Sequence, residues 1–281
     1  MYSKHAKTIK WLKSVKIRGK GIPPFADDQQ SYPEITGYLL PTLLKWKETS
    51  FAKSFVTYLL SIVSKDGAIE GLDGIDRVFD TSAVLEGFMA MYELDILTDN
   101  NKLFIAIEKI KSWLESMVDP SGFMYTSTVS DNQEFYNVRA AGIIENESAA
   151  MYWKSPAFHE KWNNGIRTHY LAYGIEGMLM LGWDETAKSI IDKILSVKRV
   201  EGLIPYEMRQ DWSAGRDTDV CATAQIAYLA QWFDMDVEEL VQGVRAQVLP
   251  DGGVPLALND LRTSSWSAKF YLDMEHELRQ S

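Results

Sequence analysis

Cysteine is nearly absent: Cys221 is the only one in 281 residues. No intrachain disulfide framework can therefore hold the fold, and stability must come from a packed core. The N-terminus has neither the apolar segment nor the cleavage site of a secretory signal, which makes the cytoplasm the default expectation. Long hydrophobic runs are also missing. The stretch from Tyr170 to Leu181 is interrupted by Glu176 and by glycines, so it falls short of a membrane span. Positive charge is in deficit, with 29 Lys and Arg against 39 Asp and Glu and a net charge of -10. That balance argues against nucleic acid as the main partner, because phosphate binding needs clustered cations. The one basic stretch, Lys4 to Lys20, is periodic and reads as the solvated outer face of a helix. The chain contains no phosphate-binding loop, no dinucleotide fingerprint, no His-Glu-x-x-His and no Gly-x-Ser-x-Gly elbow. Neither a cofactor nor a metal is expected.

What is present is helical. With 46% hydrophobic and 24% charged residues the composition is that of a globular protein, and nine Trp, 13 Tyr and 11 Phe supply a wide core. Apolar residues recur at helical spacing, and no series of alternating strands appears. Two kinds of helix take turns. Those over about 3–17, 46–64, 101–118, 148–162, 184–197 and 235–247 carry a charged stripe and read as outer helices. Those over about 33–44, 80–94, 134–146, 166–181, 217–232 and 264–277 are nearly neutral all round and read as inner ones. Six alternating pairs predict an all-α, (α/α)6 toroid, with residues 1–281 forming a single domain.

A weak repeat supports the pairing. Gly67, Gly122, Gly202 and Gly252 each precede a short apolar segment ahead of an inner helix, as in Asp66-Gly67-Ala68-Ile69 and Glu201-Gly202-Leu203-Ile204. The loops that carry these glycines are long, whereas reverse connections such as Leu181-Gly182-Trp183-Asp184 are short. Long structured loops usually carry function, so the site is expected where they lead into the inner helices.

Polar residues gather at those helix starts: Tyr32 and Glu34, Arg77 and Asp80, Tyr136 and Arg139, Arg167 and His169, Asp217 and Asp219, Trp266 and Lys269. Asp80-Thr81 and Asp217-Thr218 also look like helix N-caps. Carboxylates sharing one cavity would have their pKa values pushed apart, giving the acid and base that glycoside hydrolysis needs. Glu34, Asp80, Asp217 and Asp219 are the candidates. A uronate lyase or epimerase would instead draw on His169 or Tyr136 as base and acid, with Arg139 or Arg167 clamping the substrate carboxylate. Tyr206, Trp212 and Trp266 offer stacking surfaces for sugar rings, and Tyr32, Arg77 and Lys269 complete the expected binding set.

Ser31-Tyr32-Pro33-Glu34-Ile35-Thr36-Gly37-Tyr38, Arg77-Val78-Phe79-Asp80-Thr81, Thr168-His169-Tyr170-Leu171-Ala172-Tyr173 and Ser265-Trp266-Ser267-Ala268-Lys269-Phe270 together resemble the VpsJ-type polysaccharide-biosynthesis proteins. The resemblance implies a helical toroid and a role in making or trimming a bacterial surface polysaccharide, and it marks Tyr32, Glu34, Arg77, Asp80, His169, Trp266 and Lys269 as site-lining positions. It does not extend through 145–162. The leading expectation is a glycoside hydrolase acting on an oligosaccharide, polysaccharide or glycan-lipid intermediate. The alternatives are a lyase or epimerase, a non-catalytic glycan-binding subunit in contact with a polysaccharide assembly complex, and an isoprenoid enzyme. For the last, Asp219-Val220-Cys221 resembles the Asp-x-Cys zinc pair of protein prenyltransferases, but His276 sits near the far end of its helix, where it could not complete the set.

Overall fold

The computed structural model describes residues 4–95, 100–130, 133–197, 200–215 and 217–280. The sequence begins with α1 (Lys4–Val15) and continues through α2 (Pro33–Lys45), α3 (Thr49–Ile62), α4 (Val78–Glu93), α5 (Asn100–Ser116), α6 (Asn137–Ile143) and α7 (Glu147–Ala150). It ends with α8 (Pro156–Asn163), α9 (Thr168–Met180), α10 (Asp184–Ser196), α11 (Val220–Gln231), α12 (Glu238–Gln247) and α13 (Ser265–Glu277). Two small antiparallel ribbons pair β1 (Ile166–Arg167) with β2 (Glu207–Met208) and β3 (Pro255–Ala257) with β4 (Asp260–Thr263). The contacts fall into two compact units, Val15–Tyr152 and the described parts of Met1–Ser14 with Trp153–Ser281.

Burial divides the helices as their charge stripes predict. In α10 only Ala187, Ile190, Ile191 and Ile194 are buried, and in α12 only Leu240, Val241, Gly243 and Val244. Each set is one face of a helix whose other side meets water. In α4 every residue from Val78 to Leu85 is buried, and in α11 every residue from Val220 to Ala227. Such helices need no charged stripe because they are covered all round, and any polar group they carry must find a partner inside.

The glycine repeat has two physical components. Gly67, Gly122, Gly202 and Gly252 pack on the backbones of Lys109 in α5, Ser148 in α7, Glu239 in α12 and Lys7 in α1, so each loop is wedged against a further outer helix. After Gly67 and Gly202 the isoleucine two positions on is pinned to its inner helix, and Ile22, directly after Gly21, is held in the same way. The N–H groups of Ile22, Ile69 and Ile204 donate to the hydroxyls of Thr36, Thr81 and Thr223 at 3.0, 3.0 and 2.9 Å. The carbonyls of the same isoleucines accept from the N–H of Tyr32, Arg77 and Asp219. These paired bonds satisfy buried loop backbone and fix where each inner helix starts.

At Gly252, φ is 101° and an added Cβ would collide with the Lys7 backbone. Gly252→Ala is therefore expected to destabilise the protein by about 2–4 kcal/mol, since neither the backbone angle nor the neighbour can yield cheaply. Urea unfolding monitored by circular dichroism checks this.

The third helix pair differs from expectation. Instead of one helix over 148–162, the chain forms α7, a 3-10 turn over Met151–Lys154, and α8. Ser155 caps α8 by accepting from the Phe158 N–H at 3.1 Å, and Pro156 takes the first helical position. That pair of residues starts a new helix rather than continuing an old one. α6, expected over 134–146, is likewise confined to Asn137–Ile143.

Candidate functional site

In the unit Val15–Tyr152, two inner helices approach closely enough to bring their first turns together. A Cβ on Gly37 would lie 2.6 Å from the Ala83 carbonyl oxygen, so α2 and α4 touch through backbone here. One turn earlier on each helix stand Glu34 and Asp80, 4% and 1% exposed. The hydroxyl of Tyr32, the residue before α2, lies close enough to interact with both carboxyl groups. Asp80 Oδ1 has no hydrogen-bond partner.

Burial, reinforced by the charge of Glu34, pushes the Asp80 pKa up to about 8, against the pull of Tyr32 and Arg77. Burial, and then the two carboxylates, likewise raise the pKa of Tyr32, so it remains a phenol. One hydroxyl carries one hydrogen and cannot donate to two acceptors. Keeping the proton on Asp80 leaves the Tyr32 hydroxyl hydrogen for the other carboxyl group. Asp80 thus stands as a buried acid beside the carboxyl group of Glu34 at neutral pH.

The neighbouring candidates take different places. Arg77 precedes α4 and pairs with Asp73, and Tyr136 precedes α6 with its ring edge-on to Phe79 at 5.0 Å. Arg139 is fully buried in an ion pair with Glu86 of α4, its guanidinium 5.6 Å from the centre of the Tyr38 ring. It braces α2, α4 and α6 against one another. The Asp80 cap expected from sequence is not formed: Arg77 occupies the cap position of α4, three residues earlier.

The second unit gathers its own polar residues at the starts of α9, α11 and α13. Asp219, fully buried, caps α11 by accepting from the Ala222 N–H at 2.8 Å, so the cap is Asp219 rather than Asp217. Asp217 is exposed and accepts from the Asn259 side chain at 3.1 Å. The other oxygen of Asp219 accepts from Nε and Nη2 of Arg167, both at 3.2 Å. Burial raises the pKa of Asp219, and Arg167 opposes that rise.

Beside this pair lies a chain of buried groups. Glu176 accepts from the Gln225 amide nitrogen at 2.7 Å, which turns the amide oxygen toward His169 Nδ1, also at 2.7 Å. Nδ1 consequently carries the imidazole proton. The His169 ring packs on Tyr173 and Phe270, with centroids 4.4 and 5.5 Å away. Lys269 pairs with Asp273 at 2.9 Å, its ammonium over the Phe270 ring. Trp212 sits edge-on to Trp162 at 5.3 Å, and Trp266 is half-buried in the first turn of α13.

Three participants escaped the sequence reading: Glu86, Glu176 and Gln225. Each lies mid-helix on an otherwise apolar inner helix, where a long polar side chain is costly unless partnered. That position was the available signal. Cys221 lies 3.6 Å from His169 Nδ1, its pKa raised by burial, while both oxygens of its neighbour Asp219 are already engaged. Among the described residues no group of three or more His, Cys, Asp or Glu could hold a metal ion, and no helix is long and apolar enough to cross a membrane.

No family model and no curated protein matches the chain. Solved structures do. A D-mannose isomerase aligns over 99% of this chain and 97% of its own, with 12% identity and a TM-score of 0.74. An alpha-amylase from Clostridium perfringens aligns over 98% of each chain, with 10% identity and a TM-score of 0.72. An unsaturated glucuronyl hydrolase specific for heparin aligns over 99% of this chain and 95% of its own, with 11% identity and a TM-score of 0.70. At these identities the likeness concerns fold, and the fold is the all-helical (α/α)6 toroid that the alternating sequence pattern predicts.

Proposed function

We propose that the protein is a carbohydrate-active enzyme that cleaves a glycosidic bond, with Asp80 as general acid and Glu34 as its carboxylate partner. The observation that carries this reading is the buried Glu34-Tyr32-Asp80 trio, in which burial and the charge of Glu34 push the Asp80 pKa up to about 8. Glycoside hydrolysis needs such an acid beside a second carboxyl group. The fold shared with a glycosidase, an alpha-amylase and a glucuronyl hydrolase supports it as analogy.

Both carboxyl groups interact with the single Tyr32 hydroxyl, so they lie close together. That is nearer the spacing of about 5–5.5 Å used in retaining hydrolysis than the wider gap that admits a water in inverting enzymes. In the proposed sequence Glu34 attacks the anomeric carbon while the Asp80 proton passes to the leaving oxygen. Water then displaces Glu34 and gives its proton to Asp80, restoring both groups. The biological setting we propose is trimming of a glycan or glycan-lipid intermediate of a bacterial surface polysaccharide, supported by the resemblance of the Tyr32 to Tyr38, Arg77 to Thr81 and Trp266 to Phe270 segments to VpsJ-type proteins.

Incubating surface oligosaccharides with the purified protein is expected to yield fragments whose summed mass exceeds the parent by one water, with the first-formed anomer matching the substrate in NMR. Unsaturated fragments or unchanged mass would overturn hydrolysis. An inverted anomer would overturn the direct role of Glu34 as nucleophile.

A second reading, sugar isomerisation or epimerisation, is favoured by one specific observation. The Glu176-Gln225-His169 chain fixes the imidazole tautomer with Nδ1 protonated, which makes Nε2 the basic nitrogen. Deuterium incorporation from heavy water without any change in chain length would select this reading over the first.

A further inference from the structure

Two arginines stand at inner-helix starts as clamps for a substrate carboxylate, and the structure treats them differently. Arg139 pairs with Glu86 and is shut away from solvent, with its side chain 1% exposed. Arg167 is held but not used up. Its side chain is 20% exposed, and both of its hydrogen bonds run from Nε and Nη2 to the single oxygen Oδ2 of Asp219. Nη1 makes no hydrogen bond among the described residues.

The surroundings immobilise this guanidinium. Its carbon lies 4.9 Å from the centre of the Tyr206 ring and 5.7 Å from that of Tyr170. Its backbone is locked in the β1–β2 ribbon, where Arg167 pairs with Glu207. The next residue, Thr168, donates from its N–H to Tyr206 O at 2.8 Å and from its hydroxyl to Pro205 O at 2.6 Å. One edge of the planar group is thus occupied by Asp219 and its ring contacts are aromatic. The Nη1–Nη2 edge is the one that matches both oxygens of a carboxylate in a parallel pair of bonds. Tyr170, 38% exposed, places an aromatic surface beside it on which a sugar ring can stack.

We propose that Arg167, braced by Asp219, Tyr170 and Tyr206, is a carboxylate-recognition subsite that selects sugars carrying a uronic acid. The assignment rests on the carbohydrate reading above and narrows its substrate class. A rigid, already oriented fork loses little entropy on binding, so the carboxylate is recognised with most of its intrinsic hydrogen-bond strength. A neutral sugar hydroxymethyl or an amide cannot offer two anionic oxygens to the same edge.

The test uses matched ligands that differ only in that group. Methyl glycosides of glucuronic, galacturonic and mannuronic acid are titrated against their primary amides, with binding followed by calorimetry. At least one acid is expected to bind about tenfold more tightly than its amide, the scale of a charge-assisted bidentate contact. Replacing Arg167 alone leaves Asp219 buried without its counter-ion, so the informative variant is Arg167→Gln combined with Asp219→Asn, which keeps a capping oxygen on α11. That double variant is expected to retain the wild-type circular dichroism spectrum while losing the preference for the acid. Amides that bind wild type as tightly as their acids overturn the proposal without reference to any variant. A preference that survives in the folded double variant overturns it too. If neither acid nor amide binds, the carbohydrate reading falls with it, whereas binding without charge preference removes the uronate assignment alone.

Discussion

Asp80→Asn lowers the rate of glycosidic cleavage about a thousandfold on substrates with sugar leaving groups, the usual scale for losing a general acid. Asn has nearly the shape of the protonated carboxyl and can still donate to Tyr32, so the loss reports missing proton transfer rather than misfolding. On an aryl glycoside whose phenol leaves without protonation, the same variant recovers much of its rate. Glu34→Gln behaves differently. It removes the attacking carboxylate, so its loss is of similar size on both kinds of substrate. Initial rates of both variants on both substrate classes measure this. Equal losses in Asp80→Asn on the two classes would show that Asp80 does not protonate the leaving group.

The second large effect concerns stability and runs in the opposite direction. Asp80 has its pKa raised in the folded protein to about 8, from an ordinary 3.8. A group with a raised folded pKa contributes its full stability below the unfolded value and loses that contribution as pH rises through the folded value. The wild type should therefore weaken between about pH 4 and pH 8. At pH 7 the accumulated cost is about 4 kcal/mol, because each unit is worth about 1.4 kcal/mol and the side chain is too buried for solvent to screen it. Asp80→Asn cannot ionise. It is expected to melt several degrees above wild type at pH 7.5, with the two converging near pH 4. Glu34→Gln removes the neighbouring charge that helps to raise the Asp80 pKa, so its stability loss is smaller and ends at a lower pH. Calorimetric melting temperatures of the three proteins from pH 4 to 8 decide the matter. A melting temperature for Asp80→Asn that parallels wild type at every pH would mean that Asp80 is not the strained acid. The residue expected to perform the chemistry is thus one the fold would be more stable without.

The helix plan was legible because burial writes itself into composition. The four buried residues of α10 share one face and its charges the other, while α4 and α11 carry no such stripe, and this difference is visible in the bare sequence. The third pair was less legible because apolar periodicity runs on through Met151 to Trp162 even though the backbone does not. Ser155-Pro156 marked the restart. Within the site, Tyr32, Glu34 and Asp80 could be placed on the starts of their helices, but their convergence depends on the approach of α2 to α4 at Gly37, which no spacing within either helix reveals. The cap at Asp219 rather than Asp217 shows the same limit at smaller scale. Both aspartates suit the role by type, and the choice is made where Asp219 N–H meets the carbonyl of Ile204.

The wedge at Gly252 sets a schedule for the newborn chain. α1 is finished by residue 15, yet Lys4 reaches the Arg245 carbonyl at 2.7 Å and Lys7 the Pro250 carbonyl at 3.1 Å, 241 and 243 residues downstream. At translation speeds of about 5–20 residues per second, its docking surface is made ten seconds or more after the helix itself. Throughout that interval Trp11, buried in the finished protein, lacks its neighbour Gly253. α1 is thus synthesised long before the segment it docks against.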